Sequence, residues 1–140
     1  MFIMNNSNIQ GIRFFRRTLF FFRAAIQKNS QFVFLGPTNY AVKAALLCGG
    51  GYVSTNTYHD FSTADLHATV FICGGYLTTV QISVLEFAKK NGVPIITLVD
   101  DSTVAASLAY PILCSNLSRA IVGFFFFYLV LLYYIVVLMH

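Results

Sequence analysis

At 140 residues the chain is long enough to form one domain with a sizeable core. Hydrophobic residues make up 57% of the sequence and charged residues only 10%, well below the proportion of about a quarter that is usual. Too little charge remains to cover a conventional protein surface, which argues against a free soluble monomer and favours a subunit of a larger assembly or a membrane protein.

The positive charge is concentrated at the beginning of the chain. No acidic residue precedes Asp60, whereas this part contains the basic residues Arg13, Arg16, Arg17, Arg23, Lys28 and Lys43. Such a basic, acid-free segment predicts phosphate binding and hence contact with RNA. A mitochondrial targeting segment has the same composition, and a solvated helix face is a third interpretation.

The first elements follow from local composition. The Asn-rich residues 1–10 are predicted to be disordered or loosely attached, and residues 12–29 to form a helix with a stripe of arginines among phenylalanines. Residues 1–30 thus make a basic N-terminal segment and helix in front of a single α/β domain, residues 31–140. In that domain we predict strands at 31–35, 52–55 and 68–72, and a helix at 39–48 with Thr38 as its cap and Gly49 at its end.

The middle of the chain continues this alternation. Thr78 or Thr79 is predicted to cap a helix whose apolar side faces a sheet and consists of Val80, Val84, Leu85, Phe87 and Ala88. Residues 93–99 form a continuous apolar strand, as expected when helices cover both faces of a parallel sheet. Strands that alternate with helices predict βαβ units.

Loops at the carboxyl ends of strands are candidate ligand sites, because open α/β sheets bind ligands there. The loops at 36–39, 73–76 and 100–103 match neither the dinucleotide-binding motif nor the P-loop. Asp100 and Asp101 have the chemistry of a metal-binding or phosphate-accepting pair; in the alternative interpretation Asp100 bonds loop amides. We expect no catalytic residue, metal or cofactor, because no ligand or nucleophile spacing is recognisable.

The three cysteines, Cys48, Cys73 and Cys114, are far apart in the sequence and form no zinc-binding pattern. They are predicted to be buried thiols of a protein in a reducing compartment. A disulfide framework of the extracellular kind is not indicated.

The end of the chain is unusually apolar. Residues 121–139 carry no charge and would span roughly 28 Å as a helix, close to the thickness of a hydrocarbon core. Hydropathy therefore predicts a transmembrane helix over 121–139. The alternative is a hydrophobic helix over 117–139 that packs along the sheet and is covered by other subunits.

The stretch from residue 86 to residue 121 resembles one family. It contains Gly92-Val93-Pro94 after a helix, Val99-Asp100 at a strand end, then Tyr110-Pro111-Ile112 and Arg119-Ala120-Ile121. The bacterial-type small-subunit ribosomal protein S-two family has Gly-Ile-Pro, Val-Asp, Tyr-Pro-Ile and Ile-Arg-Ala-Ile at these places. Residues 32–36, 41–45 and 65–72 resemble its earlier strands and helix more weakly.

The resemblance identifies a reduced member, because the family's long helical hairpin is absent between Tyr58 and Asp65. A further hypothesis is that the chain is one fragment of a split gene. It predicts a separate small polypeptide that carries the missing hairpin.

The resemblance implies a three-layer α/β/α domain with a flavodoxin-like (Rossmann-like), mainly parallel sheet and a long hydrophobic C-terminal helix. It implies a structural constituent of the small ribosomal subunit, not an enzyme, with small-subunit rRNA and neighbouring small-subunit ribosomal proteins as partners. The predicted RNA-binding residues are Arg13, Arg16, Arg17, Arg23, Lys28, Lys43 and Arg119.

The location follows from composition. The sequence has 15 phenylalanines and no tryptophan, which fits the T-rich codons of a drifted organellar genome. We therefore expect the protein to be located in the mitochondrial matrix, in the small ribosomal subunit.

Two other classes of function stay open. One is a membrane-anchored α/β protein with a transmembrane helix at 121–139. The other is a small-molecule-binding flavodoxin-like protein that uses Asp100 and Asp101.

Overall fold

The chain alternates between helices and strands. The computed structural model describes residues 6–52, 69–75, 77–100, 109–114 and 118–139. In chain order the elements are α1 (Asn6–Gln27), β1 (Gln31–Leu35), α2 (Thr38–Cys48), β2 (Gly51–Tyr52), β3 (Thr69–Cys73), α3 (Thr79–Lys90), β4 (Ile95–Val99), β5 (Tyr110–Leu113) and α4 (Arg119–Leu138).

The strands form one parallel sheet in the order β2-β1-β3-β4-β5. This is the doubly wound, flavodoxin-like order, in which the chain leaves β1 for one edge and returns to β3 on its other side. The predicted α/β class, the parallel sheet and the long apolar C-terminal helix are confirmed.

Two apolar layers cover the sheet. On one face α1, α2 and α4 pack over side chains that include Phe34, Ile72 and Ile96. On the other face α3 contributes Val84 and Ala88, which pack on residues of β1 and β3. The alternation follows from the strand period of two residues.

The predicted strand at 93–99 is shorter and less covered than expected. β4 begins at Ile95, and along it only Ile96 and Leu98 are buried, whereas the other three residues are half-buried. Helices lie on both faces of the sheet, as predicted; on the α3 face Ile95 is only partly buried against the cluster that contains Val84 and Ala88.

Helix α1 belongs to the same core as the sheet. Thr18 is fully buried, and its hydroxyl donates a 3.0 Å hydrogen bond to the carbonyl oxygen of Pro111 in β5. The rings of Phe21 and Tyr110 stack with centroids 4.0 Å apart. Polar and aromatic contacts together fix α1 on the edge strand.

Residues 6–10, predicted to be disordered or loosely attached, form the first turns of α1, so the prediction of disorder is wrong there. Once a helix is nucleated, each added residue gains a hydrogen bond at little further cost. That cooperativity outweighs the Asn-rich composition on which the prediction depended. Residues 1–5 lie outside the described part of the chain.

The helix ends agree with the sequence signals in part. Thr78 is the N-cap of α3 and forms a capping box with Gln81. Gly49 ends α2 in the left-handed conformation, with φ of 64°. Thr38 is not a cap: Pro37 holds that position, and its carbonyl oxygen accepts from the N–H of Ala41.

The strand ends differ slightly from prediction. β1 has the predicted bounds. β3 runs from Thr69 to Cys73, one residue later at each end than predicted, and residue 68 lies outside the described part of the chain. β2 is described only as Gly51–Tyr52, so the rest of the predicted strand at 52–55 lies outside the described residues.

Helix α4 lies against the sheet along its inner side. Val122, Phe125, Phe126 and Leu129 are buried, and the helix packs against both α1 and α2. The hydroxyl of Ser118, the N-cap, accepts from the N–H of Ile121. The predicted helix at 117–139 is therefore present as residues 119–138, with residue 117 outside the described part.

Neighbouring phenylalanines of α4 should respond differently to truncation. Phe126 is 2% exposed and Phe124 is 70% exposed. Phe126→Ala should lower the free energy of unfolding by about 3–5 kcal/mol, because it leaves a cavity in the core. Phe124→Ala, the matched control, should change it by about 0.5 kcal/mol or less. Urea unfolding followed by circular dichroism measures both, and equal effects would contradict the packing of α4.

Candidate functional site: a basic and apolar helical face

The basic stripe is the row of four arginines Arg13, Arg16, Arg17 and Arg23 on α1. All four are exposed. Arg16 and Arg17 follow Arg13 by three and four residues, and Arg23 follows Arg16 by seven residues, about two turns, which places all four on one side of a helix. Over ten residues the stripe extends for about 15 Å.

The opposite side of α1 explains why the stripe faces outward. Thr18, Phe22, Ala25 and Ile26 are buried against the sheet. Phe20 lies among the arginines and is also exposed, with 79% of its surface accessible. Because the inner side packs on the sheet, the guanidinium groups lie on the outer side together with the ring of Phe20.

Electrostatics make this stripe a candidate anion-binding surface. Helix α1 contains no acidic residue, and arginine stays protonated at every physiological pH. Guanidinium groups offer planar, forked donors that match phosphate oxygens. The stripe can therefore bind a phosphate backbone, whose contacts position a protein without reading sequence.

The other predicted RNA-binding residues are exposed but lie apart from the stripe. Lys28 follows the end of α1, and Arg119 is the first residue of α4. Lys43 lies on α2, on the far side of α4 from α1. The structure thus brings four of the seven predicted residues into one row and distributes the remaining three around the helical layer.

The apolar strip consists of Phe124, Phe127, Leu131, Ile135 and Leu138 on the outer side of α4. All are exposed, from 45% for Ile135 to 82% for Leu138. Their spacing of three and four residues makes a continuous row of about 21 Å. Apolar rows of this size on a protein surface mark interaction sites.

A groove lies beside the strip, between α2 and α4. Its volume is about 540 Å³, and its lining is apolar apart from Lys43 and the hydroxyl of Tyr40. The helices approach closely because α4 has a glycine here: a Cβ on Gly123 would lie 3.1 Å from the ring of Tyr40. Farther along, the hydroxyl of Tyr134 donates a 2.7 Å hydrogen bond to the carbonyl oxygen of Leu47.

The strand ends where flavodoxin-like sheets bind ligands are filled by side chains. A Cβ on Gly74 would lie 2.8 Å from Phe125 and from Phe126, and one on Gly75 would lie 3.2 Å from Val122. The buried amide of Gln81 donates to the carbonyl oxygen of Gly36 at 3.2 Å. Helices α3 and α4 thus occupy the space between the ends of β1 and β3.

The candidate acidic site is only partly described. Asp100 is exposed at the end of β4, and Asp101 lies outside the described residues. In the described part of the chain, no three His, Cys, Asp or Glu side chains are grouped so that they could hold a metal ion.

Two of the cysteines are buried, as predicted, and Cys114 is half-buried. Burial raises the pKa of Cys48 from 9.0 to about 11. Burial also raises the pKa of Cys73 to about 12, although the nearby charge of Lys89 lowers it in part. Both thiols are therefore protonated and poorly nucleophilic at neutral pH.

The groove was not predicted from the sequence. Residues 121–139 are apolar at almost every position, so hydropathy cannot tell the buried from the exposed side of α4. The one available signal was Gly123, since glycine inside a helix costs about 1 kcal/mol unless packing requires it.

Comparison of the chain with protein-family models, with curated proteins and with solved structures gives no match.

The buried thiols should react slowly in the folded protein. At pH 8, iodoacetamide should label Cys48 about a hundredfold and Cys73 about a thousandfold more slowly in the folded than in the unfolded chain, because the raised pKa values reduce their thiolate fractions by those factors. Both folded pKa values lie above the unfolded ones, so folding stability should also fall as pH rises above 9. A Cys114→Ser background isolates the two sites, and rapid native labelling of Cys73 would contradict its burial.

Proposed function

We propose that this protein is a structural constituent of the mitochondrial small ribosomal subunit and binds small-subunit rRNA through the basic stripe. The single observation that carries the proposal is the row of four exposed arginines on a helix that contains no acidic residue. Its mechanism is positioning: guanidinium groups neutralise phosphates, and apolar faces dock neighbouring ribosomal proteins.

The family resemblance supports the proposal through its placement in the fold. The stretch from residue 86 to residue 121 runs from the end of α3 through β4 and β5 into α4. Strands β4 and β5 are parallel neighbours, with Val99 opposite Leu113. The motifs quoted for the resemblance thus follow α3, end β4, lie within β5 and begin α4.

The composition also supports an assembly subunit. Exposed apolar residues cover the outer sides of α4 and of the end of α2, where Leu46 is 76% exposed. A free protein would leave this surface in water, whereas a ribosomal particle offers protein neighbours that bury it.

A second candidate function is that of a membrane-anchored protein, which the length and hydropathy of α4 favour. The helix has 20 residues; its most apolar stretch of 18 residues has a mean hydropathy of 2.7, and 28% of that stretch is buried. To cross a bilayer, α4 would have to withdraw its buried side from the sheet. Exposing Phe34 and Ile72 beneath it would cost about 1.5–3 kcal/mol for each side chain. Resistance to alkaline extraction, together with absence from ribosomal particles, would favour this candidate.

Salt dependence of RNA binding tests the role of the basic stripe. The full chain should bind a small-subunit rRNA transcript with an affinity that falls as KCl is raised, because each neutralised phosphate releases counterions. The logarithm of the association constant should fall linearly with the logarithm of the KCl concentration. Replacing Arg16 and Arg23 with Gln should reduce the steepness of this line by about 1.5, since each phosphate contact contributes roughly 0.7–0.9. Filter binding at several KCl concentrations measures this slope.

The matched control is the double substitution Lys89→Gln with Lys90→Gln. It removes the same charge from α3, on the opposite face of the sheet, and should leave the slope nearly unchanged. If the two double variants reduced the slope equally, net charge and not the stripe would account for RNA binding, and the proposed contact would be wrong.

A further inference from the structure

The apolar strip and the groove form one continuous surface. Phe124 and Phe127 belong to the strip and also line the groove. Leu47 extends the same surface onto the end of α2, where it is 51% exposed. A partner that covers this surface must therefore contact α2 and α4 together.

The shape of this surface fits an α-helix. The strip is straight and about 21 Å long, which equals about 14 helical residues. The groove beside it has a volume of about 540 Å³, which is large enough to accept large apolar side chains. Amphipathic helices bind such grooves through anchors at the helical spacing of three and four residues.

The charges on both sides of the surface define the partner's polar residues. Lys43 is exposed and lies at the edge of the groove, where it is the charged member of the lining. On the other side of α4, helix α1 carries the basic stripe, and the rings of Phe15 and Tyr128 join the two helices at 6.1 Å. Cations therefore border the apolar surface on both sides, so a complementary helix carries acidic residues beside its apolar face.

Two other occupants fit this surface less well. A second copy of this chain would place its own arginines and Lys43 against these cations, and like charges across an interface are repulsive. A single acyl chain could fill the groove near Phe124, but it would leave the end of the strip at Ile135 and Leu138 exposed.

We propose that the groove and the apolar strip are the docking site of an amphipathic protein helix of about 14 residues with acidic flanks. This docking site rests on the proposed function in one respect: the partner that covers this face is taken to be a neighbouring protein. It does not require the basic stripe to bind RNA, so the two can fail separately.

Synthetic peptides test the proposal with the full-length chain. Two labelled 18-residue helical peptides share one apolar face of Leu and Ile; one has Glu beside that face and the other has Lys. Fluorescence anisotropy should show the Glu peptide binding about fivefold more tightly or better, since several rim ion pairs are exchanged for repulsions. A third peptide with a central proline, which cannot form a continuous helix, should bind at least tenfold more weakly.

Two variants locate the binding surface. Lys43→Glu should reduce the preference for the Glu peptide, because it reverses the charge on the α2 side only, and Phe127→Ser should weaken both peptides. Phe20→Ser is the control, because Phe20 on α1 is exposed to 79%, against 66% for Phe127, but lies outside the groove. It should change neither affinity, and circular dichroism should show that all three variants remain folded.

Several results would overturn the proposal. Equal affinities for the Glu and Lys peptides would show that charge does not select the partner. Self-association abolished by Phe127→Ser in light scattering would assign the surface to a second copy. Flotation with phosphatidylglycerol vesicles that Phe127→Ser abolishes, without peptide binding, would assign it to a lipid surface.

Discussion

The rest of the structure depends on the packing of Phe125 and Phe126 against the glycine-rich strand ends of β1 and β3. Gly74 has no Cβ, and the two rings occupy the space that a side chain would need. Phe126 also contacts the ring of Phe34 in β1, with centroids 6.2 Å apart. This contact sets the rotation of α4, and the rotation decides which of its apolar residues face the core and which face outward.

Two consequences follow from that rotation. First, the protein's own aromatic rings, Phe125 and Phe126, occupy the space beside Gly74 at the end of β3. Second, the outer side of α4 remains apolar between a helix with four arginines and a helix with Lys43. A layer with basic and apolar surfaces side by side suits the proposed position between RNA and protein neighbours.

Sequence patterns predicted the features that depend on nearby residues. The arginine spacing, the bounds of β1 and the cap at Thr78 each involve one element and its own periodicity or ends. The rotation of α4 could not be predicted, because Phe124, Phe125, Phe126 and Phe127 are chemically identical and only the sheet distinguishes them. The groove was missed for the same reason, since it exists only where Gly123 lets α2 and α4 approach.

The most direct test of the central claim is sedimentation of detergent-solubilised mitochondria at low and high salt, with mass spectrometry of the small-subunit peak. The account predicts stoichiometric recovery of this chain in that peak after the high-salt wash, since buried apolar contacts through α4 are insensitive to salt whereas arginine–phosphate contacts weaken. Absence from the peak, with recovery in a detergent-dependent membrane fraction, would contradict the account and assign α4 to the bilayer.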